Sequence, residues 1–313
     1  MTPAVAALIA TYRRPRELQR LLQSLTQVRG LKAVIVVDNE GSESARDLIE
    51  QTYPGAHYVN PGSNAGCGGG LKLAEEYALQ MPGANFTHVL ILDDDAVLPP
   101  ETVEVLASAM AGKRADLAYS LVTGEEGHVG WLPGLQDRSS GLRDAFDGTP
   151  EEFRARFGAE PREFAWAQGI CLLVAREALE RLGTHRADFW VRGEDLEFSL
   201  RFTEHGSGIL VPGVAVQHLP PAENTALSRE AEYLKHCALV QNIAYVGFRL
   251  SHGHRIAWTI AGALRRFFRV WSWPAFGDAL RALWRGAVLG EPAGAGTGLT
   301  FRARFAALPR SSP

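Results

Sequence analysis

Cysteine is scarce in this 313-residue chain: three residues, odd in number and with no CxxC pair. Cys67, Cys171 and Cys237 are too widely spaced for a disulfide framework or a zinc cluster, so a reducing cytosol is the expected compartment. Long apolar runs are missing too, and none approaches the ~20 residues that span a bilayer. The opening MTPAVAALIATYRRP holds an apolar segment too short for a signal-peptide core, with no charged leader before it. The expectation is a cytoplasmic protein, soluble or peripheral on the inner face of the cell membrane. Positive charge is not in excess either. A net charge of −3 argues against bulk binding to nucleic acid. No internal repeat is visible, no GxxxxGK[ST] loop occurs, and no serine or cysteine nucleophile motif is recognisable. What remains is ordinary for a globular chain, with 46% apolar and 21% charged residues and length enough for one large domain with an appendage.

The first part alternates strand and helix signals. Short apolar runs at residues 4–10, 33–37, 57–59 and 88–92 read as strands. Between them come Leu18, Leu21, Leu22, Leu25 and Val28 at helical spacing after Pro15. A second helix is expected at 44–51. A glycine-rich loop at 62–70 opens a third that carries Leu71, Ala74, Ala78 and Met81. Such alternation implies a mainly parallel sheet covered on both faces. Further strands are expected at 117–122, 128–131, 164–174, 208–211 and 214–218, with helices at 176–182 and from Gly193 through Phe202. Residues 135–163 read as a polar, loop-rich stretch, either an active-site flap or a surface excursion. Helical character returns at 226–250 and 255–289. The tail from Glu291 is rich in Gly, Ala and Pro and is expected to be poorly ordered.

Asp93-Asp94-Asp95 closes the strand LIL. Three adjacent carboxylates repel one another unless a cation neutralises them, and hard oxygen ligands suit Mg²⁺ or Mn²⁺, ions that bridge protein to phosphate. Helix capping would need one carboxylate only. Asp38, in VVDN, ends another strand, and Thr11 ends the first. In open α/β sheets this carboxyl edge is where ligands bind. The segment NAGCGGG at 64–70 offers close backbone approach and a helix start with free N–H groups, though it is not a dinucleotide fingerprint. Glu194-Asp195, after Phe189-Trp190, supplies carboxylates able to accept a hydroxyl proton or simply to complement a helix start. His218 ends an apolar strand just before Pro220-Pro221, and it becomes a ligand candidate only if the fold brings it beside the aspartate triplet.

In order, TYRRP, VVDN, NAGCGGG, LILDDD, FWVRGEDLEFSLR and VAVQHLP resemble the inverting family-2 glycosyltransferases of the GT-A fold. The glycine-rich segment and the spacing from GEDLE to His218 look most like the galactofuranosyltransferase and rhamnosyltransferase branch, and the resemblance covers roughly residues 4–250. It implies an α/β GT-A domain, Rossmann-like with helices on both faces, over residues 1–222. A C-terminal helical region at 223–290 and a flexible tail at 291–313 complete the expected organisation. By position, Thr11, Arg13 and Asp38 would hold the nucleobase and ribose, with Asn64, Gly66, Gly68 and Gly69 bordering the donor. Asp93 and Asp94 would meet ribose and diphosphate, and Asp95 with His218 would ligate Mn²⁺ or Mg²⁺, Asp93 contributing to that group. Asp195 matches the family's catalytic base. Trp166, Trp190 and Glu194 would line the acceptor, Glu194 standing where close relatives often carry Asp.

The implied activity is transfer from a nucleotide-sugar, UDP-galactofuranose or dTDP-rhamnose by resemblance, to a glycan or lipid-linked glycan. A sugar-nucleotide pyrophosphorylase would place its glycine-rich phosphate loop directly after the first strand, where ATYRRP stands. A non-catalytic glycan-binding protein would not need the full set Asp93, Asp95, Asp195 and His218. Between Arg249 and Arg285 seven arginines face the single acid Asp278, interleaved with Trp258, Phe267, Phe268, Trp271, Trp273, Phe276 and Trp284. That pattern suits either a helix in the headgroup layer of an anionic membrane or packing at a homo-oligomer or domain contact.

Overall fold

The computed structural model describes residues 3–83, 85–135, 146–219, 229–250, 260–262, 264–265 and 276–294. The chain separates into two compact units. One comprises the described residues of Met1–Asn64, Gly70–His185 and Phe198–Pro221. The other comprises those of Ala65–Gly69, Arg186–Glu197 and Ala222–Pro313. Two short segments from the first 222 residues thus group with the C-terminal unit.

The first unit is built on a sheet that begins with four parallel strands, β1 (Val5–Thr11), β2 (Leu31–Asp38), β3 (His57–Val59) and β4 (His88–Asp93), in the order β3-β2-β1-β4. Residues Val5 to Ile9 and Val34 to Val37 are fully buried, as expected of strands covered on both faces. Helix α1 (Pro15–Leu25) begins on proline and buries Leu18, Leu21, Leu22 and Leu25 as one stripe. Helix α2 (Glu43–Thr52) is capped by Ser42, whose hydroxyl accepts from the Ala45 N–H. After β2 and β3 are laid on one side of β1, β4 pairs with the other side. This reversal places a crevice outside the carboxyl ends of β1 and β4.

Beyond β4 the sheet becomes mixed. Its further strands are β5 (Ala96–Val97), β6 (Leu117–Thr123), β7 (Val129–Gly130), β8 (Gly134–Leu135), β9 (Arg162–Trp166), β10 (Cys171–Ala175) and β11 (Gly208–His218). The order continues β4-β10-β6-β11-β9-β8. The single strand expected at 164–174 is two strands with different neighbours: β9 pairs with β11, and β10 lies antiparallel between β4 and β6. The chain leaves the ladder at Ala167, whose N–H and carbonyl both bond the buried Ser199 hydroxyl. Conversely, the two strands expected at 208–211 and 214–218 are one, β11, which keeps its pairing to β6 across a bulge between Val211 and Ala215; Pro212, Gly213 and Val214 form that bulge. The stretch expected to be loop-rich contains helix α5 (Pro150–Phe157), opened by a Thr149–Glu152 capping box.

Helices α6 (Arg176–Leu182) and α7 (Glu194–His205) lie where the sequence led us to expect them, α3 (Gly66–Gln80) buries Leu71, Ala74 and Ala78, and α4 (Thr102–Lys113) follows β5. In the second unit α8 (Arg229–Arg249) packs on α9 (Phe276–Trp284), which runs into a π-helical turn at Arg285–Leu289. Tyr233, Leu234, Cys237, Val240, Ala279 and Ala282 form their common core. Inside it the Tyr233 hydroxyl donates to buried Asp278 at 2.5 Å. The start of the expected flexible tail is packed instead: the Gln241 amide donates to the Glu291 carbonyl, and Ala293 is buried. Trp258, Phe267, Phe268, Trp271 and Trp273 lie outside the described residues. Among those described, no helix is long and apolar enough to cross a membrane.

The glycine-rich segment is helical from Gly66, not a loop to residue 70, and its glycines face protein. A Cβ on Gly66, where φ is +75°, would stand 2.0 Å from the Trp190 carbonyl oxygen, and one on Gly68 would stand 2.2 Å from that of Phe189. Backbone cannot yield as a flexible side chain would. Gly68→Ala should therefore destabilise the protein by about 1–3 kcal/mol, read as a lower midpoint in urea unfolding; an unchanged midpoint would show that the 186–190 segment yields freely.

Candidate active site

The parallel strands deliver three polar side chains to one edge. Thr11 pairs in register with Asp38 across β1 and β2, and Ala10 with Asp93 across β1 and β4. The chain turns at Asp94-Asp95 into β5, which pairs antiparallel with the end of β11, setting His218 opposite Ala96. The Leu219 N–H donates to the Asp95 carbonyl at 2.9 Å and fixes this closure. His218, more than 120 residues downstream, thus arrives beside the triplet. Its Nε2 lies 2.9 Å from Asp95 Oδ1 and 3.8 Å from Asp93 Oδ2. One ligand atom from each of Asp93, Asp95 and His218 falls within 4.8 Å of the others.

Charge balance follows burial. Asp94 and Asp95 are about 5% exposed or less, whereas the Asp93 side chain is 40% exposed. Burial works to raise the Asp95 carboxyl, but His218 and Arg14 outweigh it and hold it below the usual range. Burial works to lower His218, and the neighbouring Asp95 and Asp93 carboxylates outweigh it and raise it. Asp94 is pushed up by desolvation despite Arg14. Three carboxyl groups thus meet one guanidinium and one imidazole. Asp95 Oδ1 and His218 Nδ1 are buried without a hydrogen bond of acceptable geometry among the described residues. Two carboxylates, an imidazole and a buried oxygen lacking such a bond are a donor set that fits a divalent cation.

Arg14 is the residue that the sequence did not single out. One of its guanidinium nitrogens donates to Asp94 Oδ1 at 2.8 Å and Asp95 Oδ2 at 3.1 Å. The Thr11 hydroxyl donates to the other Asp94 oxygen at 2.8 Å. Asp94 therefore joins β1, the start of α1 and the triplet. Arg13, expected at the nucleobase, has φ +57° and is paired at the surface with Glu40. Alternation along TYRRP gave no means of choosing between the two arginines. Trp131 was also missed: it is 38% exposed, has φ +47° and packs edge-on against His218 with ring centroids 4.6 Å apart. The buried Tyr119 hydroxyl donates to its carbonyl. Left-handed backbone at a non-glycine residue can be inferred only once the turn is seen.

The remaining expected residues divide between the units. Asp38 is buried and orders its own turn, accepting from the Glu40 and Ser42 N–H groups at 2.9 Å and the Tyr58 hydroxyl at 3.1 Å; about one of its four acceptor positions remains. Asn64, half-buried, precedes α3. Trp166 ends β9 and covers Gly134, where a Cβ would meet its indole at 2.1 Å. In the second unit Gly66, Gly68 and Gly69 accompany Trp190, and Glu194 and Asp195 open α7. Glu194 is buried and Asp195 half-buried. The three cysteines form no disulfide. Burial pushes the thiols of Cys171 and Cys237 up to about 12, which makes them inert.

The family model "Glycosyltransferase like family 2" matches residues 3–232. The low-salt glycan biosynthesis hexosyltransferase Agl10 of Haloferax volcanii is 24% identical over 205 residues, 64% of this chain and 62% of that protein; the chain thus spans less than two thirds of this relative. The N-acetylglucosaminyl-diphospho-decaprenol L-rhamnosyltransferase of Mycobacterium tuberculosis H37Rv is 22% identical over 287 residues, 84% of this chain and 91% of that protein. Among solved structures, residues 1–349 of S. aureus TarS in complex with UDP-GlcNAc superpose with TM-score 0.59 at 14% identity, covering 92% of this chain and 82% of that one. The fold is GT-A, as the motif order implied.

The donor set makes cation binding depend on pH. The carboxylates hold the His218 proton to higher pH than the ordinary value of about 6.5, and a metal must displace that proton. Apparent Mn²⁺ affinity, followed by water-proton relaxation, should rise from about pH 6 to about pH 8 and should lose most of that rise in His218→Ala. A pH-independent affinity would remove His218 from the ligand set.

Proposed function

The chain belongs to glycosyltransferase like family 2, and from that premise we propose that it moves a sugar from a nucleotide-diphosphate-sugar to a hydroxyl of a glycan or lipid-linked glycan, with inversion. The observation that carries this reading is the meeting of Asp93, Asp95 and His218 at the carboxyl edge of the sheet, where phosphate ligands of α/β proteins bind. Those three residues would hold the cation, and one imidazole among carboxylates favours Mn²⁺ over Mg²⁺, which prefers an octahedron of oxygens. When bound, the cation would supply Lewis acidity toward the diphosphate.

The chain's own groups do the rest. Thr11 and Asp38 are assigned to the nucleoside, and Arg14 holds Asp94 and Asp95 in place. Asp195 accepts the acceptor hydroxyl's proton as the new carbon–oxygen bond forms and the bond to the diphosphate breaks. Trp166, Trp190 and Glu194 are assigned to the acceptor. UDP-galactofuranose and dTDP-rhamnose are the favoured donors, the second in keeping with the mycobacterial relative's name. Asp195→Asn keeps shape and loses the base, so turnover should fall by roughly 10²–10⁴-fold with donor affinity, measured by calorimetry, nearly unchanged. Loss of nucleotide binding with normal transfer would refute the role.

Attachment to an anionic membrane surface belongs to the same reading. Phe248, Leu280, Trp284, Val288 and Leu289 are all more than 40% exposed, close in sequence to Arg249, Arg281 and Arg285. Apolar side chains beside cations suit the headgroup layer and would bring the enzyme to a lipid-linked acceptor. Sedimentation with phosphatidylglycerol vesicles should be salt-sensitive and be lost in Leu280→Asp/Trp284→Asp. Absence of sedimentation at low salt would rule the attachment out, and self-association at this face would be its replacement.

A further inference from the structure

The segment that leads into Asp195 is held by a side chain from another helix. Asn242, in α8, is fully buried. Its amide nitrogen donates to the Arg192 carbonyl at 2.6 Å and the Val191 carbonyl at 3.3 Å. Its Oδ1 accepts the Ala293 N–H at 2.6 Å, and the Ala293 carbonyl accepts the Trp190 N–H at 3.1 Å. One amide thus joins α8, the 190–193 turn and the residues after the π-helical turn.

The turn needs such support. Arg192 has φ +64° and Gly193 φ +94°, and an arginine in the left-handed region persists only where its surroundings over-determine it. Consecutive left-handed residues turn their carbonyls out of any helix or strand ladder, so the carbonyls of Val191 and Arg192 need a donor from elsewhere. A Cβ at Gly193 would lie 3.1 Å from that of Asn242, so the approach also depends on glycine. The Gly193 carbonyl accepts the Glu197 N–H at 3.1 Å, the first bond of α7. Fixing the peptides of 191–193 fixes where α7 begins, and with it the direction of Asp195 two residues on.

We propose that Asn242 is a positioning residue for Asp195, acting through the backbone of the 191–193 turn. The inference rests on the assignment of Asp195 as base. The site requires a donor for two carbonyls and an acceptor for one N–H at a single position, which an amide of this length supplies. Aspartate has the same outline and keeps the Ala293 bond, but it sets a carboxylate against two carbonyl oxygens.

The test joins hydrogen exchange with kinetics, using dTDP-rhamnose and UDP-galactofuranose as donors and a synthetic diphosphate-linked N-acetylglucosamine lipid as acceptor. In Asn242→Asp, exchange should speed up at residues 191–197 and stay unchanged in the β1–β4 sheet. Transfer kcat should fall by about 10–100-fold with donor KM preserved. In the Asp195→Asn background the same substitution should cost nothing further, because the group it orients is gone. Gly193→Ala displaces the turn from the other side and should repeat this non-additive pattern, which keeps the test decisive if Asn242→Asp folds poorly. Equal losses of kcat with and without the Asp195 carboxylate, or unchanged exchange at 191–197, overturn the inference alone. Unchanged kcat in Asp195→Asn by itself overturns the base assignment, and this inference with it.

Discussion

Three adjacent carboxylates at the end of a buried strand set the terms for the first unit. Left to themselves they would repel one another, and burial would drive them neutral. The protein meets this with two basic side chains of its own. Arg14 bridges Asp94 and Asp95 from the start of α1, and His218 reaches Asp95 and Asp93 from the end of β11. Arg14 is bound to fixed partners, with its own charge held firmly by the two aspartates despite burial. Under the proposed function His218 would exchange its proton for a metal, so one half of the cluster would be permanent and the other replaceable.

Sheet topology follows from the need to assemble that cluster. β1 brings Thr11, β4 brings Asp93, and the short β5–β11 ladder carries His218 across a long stretch of sequence. The bulge in β11 lets one strand pair with β6 along its length and still reach β5. The second unit applies a different device. There the glycines of α3 admit the Phe189 and Trp190 backbone, and Asn242 holds the left-handed turn ahead of Asp195.

Much of this was legible in the sequence where a side-chain pattern repeats. The buried stripes of α1 and the β-branched runs of β1, β2 and β4 have periods that specify their elements, and the order of the motifs specified the fold. The aspartate triplet stood out because no capping need explains three carboxylates. Arg14 was hidden beside Arg13, since choosing between neighbours needs the turn at the end of β1. Trp131 depends on a left-handed backbone with no sequence signature. The split of 164–174 into β9 and β10 was hidden because both pieces are apolar, and the sites that interrupt them are hydrogen bonds to Ser199, distant in sequence. NAGCGGG was read as a ligand loop because glycine signals close approach without naming what approaches.

We propose that the carboxylate–histidine cluster serves cation-assisted transfer from a nucleotide-sugar. It is tested most directly by screening a panel of nucleotide-sugars for release of nucleoside diphosphate, with Mn²⁺ and with excess chelator. Release is expected from one or a few donors, dependent on the metal, with the sugar recovered on an added glycan acceptor. Formation of nucleoside triphosphate and sugar phosphate in the presence of diphosphate, or full transfer in excess chelator, would contradict it.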